Sequence, residues 1–275
     1  MRKVTFLLLT IVGVLLTSMY SCEKAAPVIP TKDCLSYNLD KRVFTEDDTL
    51  TFNVCITQLV PIQIAYTEQQ LKYYLDSLTK PLNSEKIYFR LKSNRVGTSY
   101  NSLSLIDTID HPPIKRARVN NFEEYTFLDE QRCLNLYIMP NSESDFLGSA
   151  GDFIPDIHCS VQYWAFPLST TPHELMHSLG CYHTHEPDLT DGYNDQTGDL
   201  VCDTPSADNF GKYVNKFCDY ILPTKTQSES EVLVRNIMSN SPGHCRCTIT
   251  QGQGKRIKKN TQVNKSLYVA LYRDF

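Results

Sequence analysis

The sequence predicts an α/β (α+β) fold in which strands and helices fill the first part of the chain and cysteine-held loops fill the last. Three observations predict it. Short runs of strand-forming residues recur before residue 140, and one segment among them carries apolar residues at helical spacing. A second helical segment follows near residue 172. Beyond Gly180 the chain turns rich in Asp, Gly, Asn, Thr and Pro, a composition of turns and loops.

The elements follow in order. Arg2 and Lys3 precede an apolar run from Val4 to Leu16, and a small polar stretch ends at Cys22. This is the charged, apolar, small-residue order of an export signal, too short to span a bilayer, so residues 1–21 are excluded from the fold. Residues 22–48, with Pro27 and Pro30, read as a tether. A domain of residues 49–275 then begins with a strand at Leu50 to Ile56. A helix follows over Thr67 to Leu78, and further strands over Lys86 to Leu91 and Leu134 to Met139. The next helix is expected from about Pro172 to Leu179, and a last one near Ile249 to Lys259. No internal repeat interrupts this single domain.

Composition narrows the function. At 275 residues with 41% hydrophobic and 21% charged residues, the chain is an ordinary globular protein, neither disordered nor multi-spanning. A net charge of -4 lacks the basic excess that neutralises phosphates, so no nucleic-acid partner is expected. Ten cysteines agree with export, because paired thiols persist in oxidising compartments. Setting Cys22 aside leaves an odd number, so at least one thiol is free or paired between chains.

The chemistry concentrates in Thr171-Pro172-His173-Glu174-Leu175-Met176-His177-Ser178-Leu179-Gly180-Cys181-Tyr182-His183. Residues four apart share a helix face, so His173 and His177 direct their imidazoles at one metal ion. A catalytic zinc takes three protein ligands and leaves one position for water. His183 supplies the third, provided the chain leaves the helix and doubles back, and Gly180 provides the left-handed conformation for that turn. Glu174, beside the first ligand, stands where a general base is needed. Thr170 or Thr171 can cap the helix, and Pro172 fits its first turn. Thr171 and Glu174 also fit a capping box, which would claim the same carboxylate for structure.

His173-Glu174-x-x-His177-x-x-Gly180-x-x-His183 resembles the metzincin signature, and its surroundings resemble the pappalysin (cytophagalysin) branch. Thr184 follows the third histidine, Gly198-Asp199-Leu200-Val201-Cys202-Asp203-Thr204-Pro205 resembles the branch's Gly-Asp…Asp-Thr-Pro segment, and Asn236-Ile237-Met238-Ser239 resembles its Met-turn. Leu134-Asn135-Leu136-Tyr137-Ile138 resembles the strand before its active-site helix. Cys22 resembles the lipid-modified cysteine of bacterial lipoproteins, although Met19 stands where leucine is usual.

The resemblance implies a twisted mixed sheet with the active-site helix in an upper lobe (49–183). It also implies an irregular, disulfide-held lower lobe (184–275), and a cleft that binds an extended substrate strand along the sheet edge. It implies Met238 as an apolar floor below the zinc and a Cys218–Cys245 bridge. One departure stands out: Asn240 occupies the place of a tyrosine that helps stabilise the transition state in the family. Asp188, Asp191, Asp195 and Asp199 offer hard oxygen donors for a structural calcium, or simply form a solvated acidic loop. Lys255, Arg256, Lys258 and Lys259 read as the wet face of the last helix.

The function expected from these residues is a zinc-dependent endopeptidase that hydrolyses peptide bonds of proteins or peptides, with Glu174 as the base and His173, His177 and His183 on the metal. The rivals are a zinc-containing binding protein that has lost turnover, favoured by Asn240, and a zinc aminopeptidase, for which Gly180 and His183 would have no use. The expected setting is a monomer exported to the bacterial outer membrane or cell surface through lipidated Cys22, or else secreted.

Overall fold

The computed structural model describes residues 44–45, 47–96, 132–141, 147–150, 155–185, 199–205, 210–222 and 225–272. The export signal, Cys22, most of the tether, Asp188, Asp191, Asp195 and Gly198 lie outside them. No helix among the described residues is long and apolar enough to cross a membrane.

The chain divides into two compact units, one of Cys34–Tyr182 with Gln251–Phe275 and one containing His183–Thr250. Among the described residues, the first is a five-stranded mixed sheet with helices. Its strands are β1 (Leu50–Gln58), β2 (Ile87–Val96), β3 (Leu134–Met139), β4 (Gly148–Ala150) and β5 (His158–Gln162), in the order β2-β1-β3-β5-β4. β2, β1, β3 and β5 run parallel, and β4 pairs antiparallel with β5. Burial accounts for their composition. β3 buries Leu134, Leu136 and Ile138 on one face, and Asn135 and Tyr137 on the other, as befits a central parallel strand covered on both sides. The sequence reading anticipated β1, β2 and β3. β4 and β5 went unread, because Gly148-Ser149-Ala150 has no strand propensity and His158-Cys159-Ser160-Val161-Gln162 no clean alternation.

Helix α1 (Glu68–Thr79) starts at Thr67, whose hydroxyl accepts from the Gln70 N–H while Gln70 reaches back, a complete capping box. It lays Leu71 and Leu75, both fully buried, onto the sheet. Cys55 of β1 is joined to Cys133, just before β3, by a disulfide, between two strands already paired from Val54↔Leu134 onward.

Helix α2 (Thr170–Ser178) carries the candidate motif, and all nine of its residues are buried. Helices α4 (Gln251–Val263) and α5 (Lys265–Ala270) close this unit, and an isolated bridge ties Leu271 back to Phe52 of β1. The basic run in α4 is not a wet face. Lys258 is 2% exposed, and burial holds its ammonium below the usual lysine pKa. Arg256 donates from Nε to the Gly180 carbonyl at 2.6 Å. Four basic residues within five positions cannot share one face when each step turns by about 100°.

The second unit contains one α-helix among its described residues, α3 (Gln227–Arg235), capped by a box between Thr226 and Glu229. The sequence reading expected only loops in this stretch; the helix that forms instead buries Val232, Leu233 and Val234. Leu233 and Val234 belong to a small cluster with Phe210, Val214 and Cys245, against which Cys218 and Tyr220 pack. The rings of Phe210 and Tyr220 stack at 4.2 Å. Cys218 and Cys245 form the disulfide that the family resemblance implies, and Cys202 and Cys247 are disulfide-bonded as well. Side chains do much of the remaining work. Asp199 accepts from the Val201 N–H at 3.1 Å and from the Thr204 hydroxyl, and Asp203 accepts from the Thr250 hydroxyl at 2.6 Å.

Candidate metal centre

The site starts with the way α2 is held. Its N-cap is Ser169, with no side-chain capping bond, and the Thr171 hydroxyl donates instead to the Phe166 carbonyl at 2.7 Å. The capping box suggested by Thr171 and Glu174 does not form, so neither threonine caps. Phe166 itself is fully buried and packs with Tyr66 and Tyr74, which anchors the start of the helix in the aromatic core.

The C-terminal end is built as the sequence predicts. Gly180 adopts φ +92°, the left-handed region that glycine enters without a Cβ penalty. The Cys181 N–H reaches the Met176 carbonyl at 2.9 Å and the Gly180 N–H reaches that of His177 at 2.8 Å, the paired bonds of a Schellman turn. The chain thereby reverses direction just before His183.

The histidines converge. One ligand atom from each of His173, His177 and His183 lies within 4.8 Å of the others. His173 and His177 are 8% and 6% exposed, with rings perpendicular at 4.7 Å. Their Nε2 atoms are 3.2 Å apart. Two imidazole nitrogens each about 2.05 Å from one tetrahedral zinc are separated by roughly 3.3 Å, so the spacing fits a shared ion. The tautomer fits too. His177 Nδ1 lies 2.8 Å from the Cys181 carbonyl, and a carbonyl only accepts, so Nδ1 carries the proton and Nε2 keeps its lone pair for a metal. This set of three histidines could hold a zinc ion.

Glu174 is 6% exposed and is packed against strand β4. A Cβ at Gly148 would sit 2.7 Å from Glu174 Cγ, 2.8 Å from Oε1 and 2.9 Å from the Ser160 carbonyl oxygen. Any side chain at 148 would therefore drive the carboxylate from its place. A lone glycine in a three-residue strand offers no sequence signal for that role, and the reading missed it.

Other sequence candidates resolve plainly. Met238 is fully buried in a tight turn, in which the Ser239 N–H reaches the Asn236 carbonyl at 3.1 Å and the Asn236 side chain takes the Met238 N–H at 2.8 Å. The Met238 carbonyl accepts from the N–H of Thr184 at 3.1 Å. Asn240 accepts the Gly211 N–H through Oδ1 at 2.8 Å. Cys218, His244 and Cys245 also cluster within 4.8 Å, but both sulfurs are committed to the disulfide. Cys159 is a free, fully buried thiol, and burial pushes its pKa far up, so it remains protonated and offers no nucleophile. Of the four aspartates considered for calcium, Asp199 alone lies among the described residues. Its two oxygens are engaged within the protein, and nothing observed supports a calcium site.

No family model and no curated protein matches the chain. Among solved structures, the chain is similar to one entitled "Mirolysin in complex with compound 9". The TM-score is 0.52 with 13% identity, over 80% of this chain and 94% of that one. At this identity the likeness concerns the fold alone, a mixed α/β arrangement.

Proposed function

We propose that the chain is a zinc-dependent endopeptidase of the metzincin type, nearest in motif to the pappalysin branch. The observation that carries the reading is the convergence of His173, His177 and His183 at a spacing suited to one tetrahedral ion. The fold shared with mirolysin, a metzincin-type metalloprotease, supports it.

In this reading the three histidines hold zinc, with His177 oriented by the Cys181 carbonyl. A zinc ion held there would supply Lewis-acid polarisation of a peptide carbonyl and a water activated near neutral pH. Glu174 accepts the proton of the attacking water and returns it to the departing amine. Gly148 lets that carboxylate lie against β4, the last strand in the sheet order among the described residues, the kind of edge to which an extended substrate adds as a further strand. No covalent enzyme intermediate is needed, in keeping with a Cys159 thiol that stays protonated. The chain acts after export, either anchored through a lipid on Cys22 or released.

The test is cleavage of a mixed library of end-blocked peptides by the purified chain, with and without a zinc chelator. Internal cuts that the chelator abolishes are expected, and Glu174→Gln should retain zinc while losing roughly 10²–10⁴-fold in rate. Undiminished turnover by Glu174→Gln would remove the glutamate from the mechanism. One zinc per chain with no cuts would favour a binding protein.

A further inference from the structure

The turn that carries the chain from α2 to His183 has three carbonyls in a row, those of Leu179, Gly180 and Cys181, none of which has a helical partner ahead of it. Each is taken by a side chain. His177 Nδ1 holds the Cys181 carbonyl at 2.8 Å. Arg256 Nε donates to the Gly180 carbonyl at 2.6 Å. Asn260 Nδ2 donates to the Leu179 carbonyl at 3.1 Å and reaches that of Gly180 at 3.4 Å. The Arg256 guanidinium also lies 5.0 Å from the centre of the Tyr182 ring, within cation–π range.

Arg256 and Asn260 stand one turn apart on α4 and face the same short stretch of chain, some 80 residues earlier in sequence. Their fit is close: a Cβ on Gly180 would meet Asn260 Nδ2 at 2.1 Å. From this we infer that Arg256 and Asn260 are positioning residues for the third histidine. They clamp the turn through the Leu179 and Gly180 carbonyls and the Tyr182 ring, so that His183 is presented to the ion at a fixed place. The inference rests on the proposed zinc site and extends it to a helix that contributes no ligand of its own.

The physical argument is one of preorganisation. A ligand on a loop binds metal more weakly when ordering the loop must be met from the binding free energy, and groups that fix ligands from behind typically change metal affinity by about 10–100-fold. His173 and His177 are already ordered by α2. His183 is separated from that helix by the turn, so the clamp acts on the ligand that needs it most.

Zinc affinity of the full chain, measured by competition with a chromogenic chelator, tests this without reference to turnover. Asn260→Ala and Arg256→Lys, the latter keeping the charge but losing the planar Nε donor, should each weaken zinc, and the double variant by roughly 10–100-fold. Lys259→Met, at an exposed position on the same helix, should leave it unchanged. Thermal unfolding of the chelated proteins shows whether the variants fold, and Arg256→Lys serves as the milder change.

The decisive arm repeats the measurements with His183→Ala. There the same changes should have no further effect on zinc, because the residue they position is gone. Equal losses in both backgrounds, or no loss in either, would overturn the clamp while leaving the zinc site standing. Failure of the unaltered chain to bind zinc would overturn both.

Discussion

The two units reach a folded state by different means. The sheet unit uses backbone ladders: parallel strands of which the central β3 is buried on both faces, closed by helices that lay Leu71, Leu75 and Ile257 on the core. The unit of residues 183–250 has one short α-helix among its described residues and a small apolar cluster. It relies on disulfides and on buried side chains that bond to backbone, such as Asp199 and Asn236. Parallel ladders need long apolar runs and many residues. Where the chain is rich in Asp, Gly and Pro, covalent links and side-chain caps supply the order that the core does not. The motif straddles the two kinds of construction, with His173 and His177 on a buried helix and His183 opening the irregular stretch.

Truncating the core of the sheet should have the largest effect on stability. Phe52 is fully buried with its ring 6.0 Å from that of Phe89, and Phe52→Ala should cost about 3–5 kcal/mol, measured by denaturant unfolding. Hydrogen exchange read segment by segment sharpens the comparison, since protection should fall in β1 and β3 more than in α3. Equal loss in α3 would mean that the two units unfold together.

Removing the covalent support of the other unit comes next. Cys218 and Cys245 close a loop of 27 residues, worth about 3.5 kcal/mol by loop entropy. A Cys218→Ser, Cys245→Ser double variant should lose protection in α3 and around Phe210 first, while β1 and β3 keep theirs. An unchanged pattern would show that the small cluster is sufficient alone.

The smallest effect is electrostatic. Burial is the main cause that raises the Tyr66 phenol pKa above its ordinary value of 10.0, aided by Tyr163, whose carbonyl accepts from the Tyr66 hydroxyl at 3.0 Å. A raised pKa in the folded state means that the neutral phenol contributes stability in full below pH 10.0 and loses it as pH rises further. Melting temperature should therefore fall above that pH, and fall less in Tyr66→Phe. Parallel curves for the two proteins would show that another group drives the alkaline loss.

Much of this contrast was legible in the sequence, for physical reasons that also mark where the reading stopped. β1, β3 and α1 declare themselves because the side chains that set their periodicity lie within the element. The turn at Gly180 is equally local, since spacing from His177 to His183 demands a reversal and glycine permits it. What escaped depends on distant partners. Nothing around Gly148 announces the Glu174 carboxylate beside it. Lys258 and Arg256 read as solvated because charge is the default of a surface, and only the packing of α4 against the end of α2 corrects that. In α3 the loop-forming composition around it masked a capping box and three apolar residues. The export signal, most of the tether and most of the acidic cluster lie outside the described residues.

The Cys55–Cys133 bond has a practical corollary for anyone purifying the chain. It joins residues 78 apart in sequence, and the whole of residues 97–131 falls inside that span. A protease that nicks the backbone there would release nothing, since both fragments stay linked through sulfur and through the paired strands β1 and β3. Such a sample would run as a single band on a non-reducing gel, keep its mass apart from one added water, and separate into two pieces only after reduction. Comparing reduced and unreduced lanes would locate the cut without loss of the folded sheet.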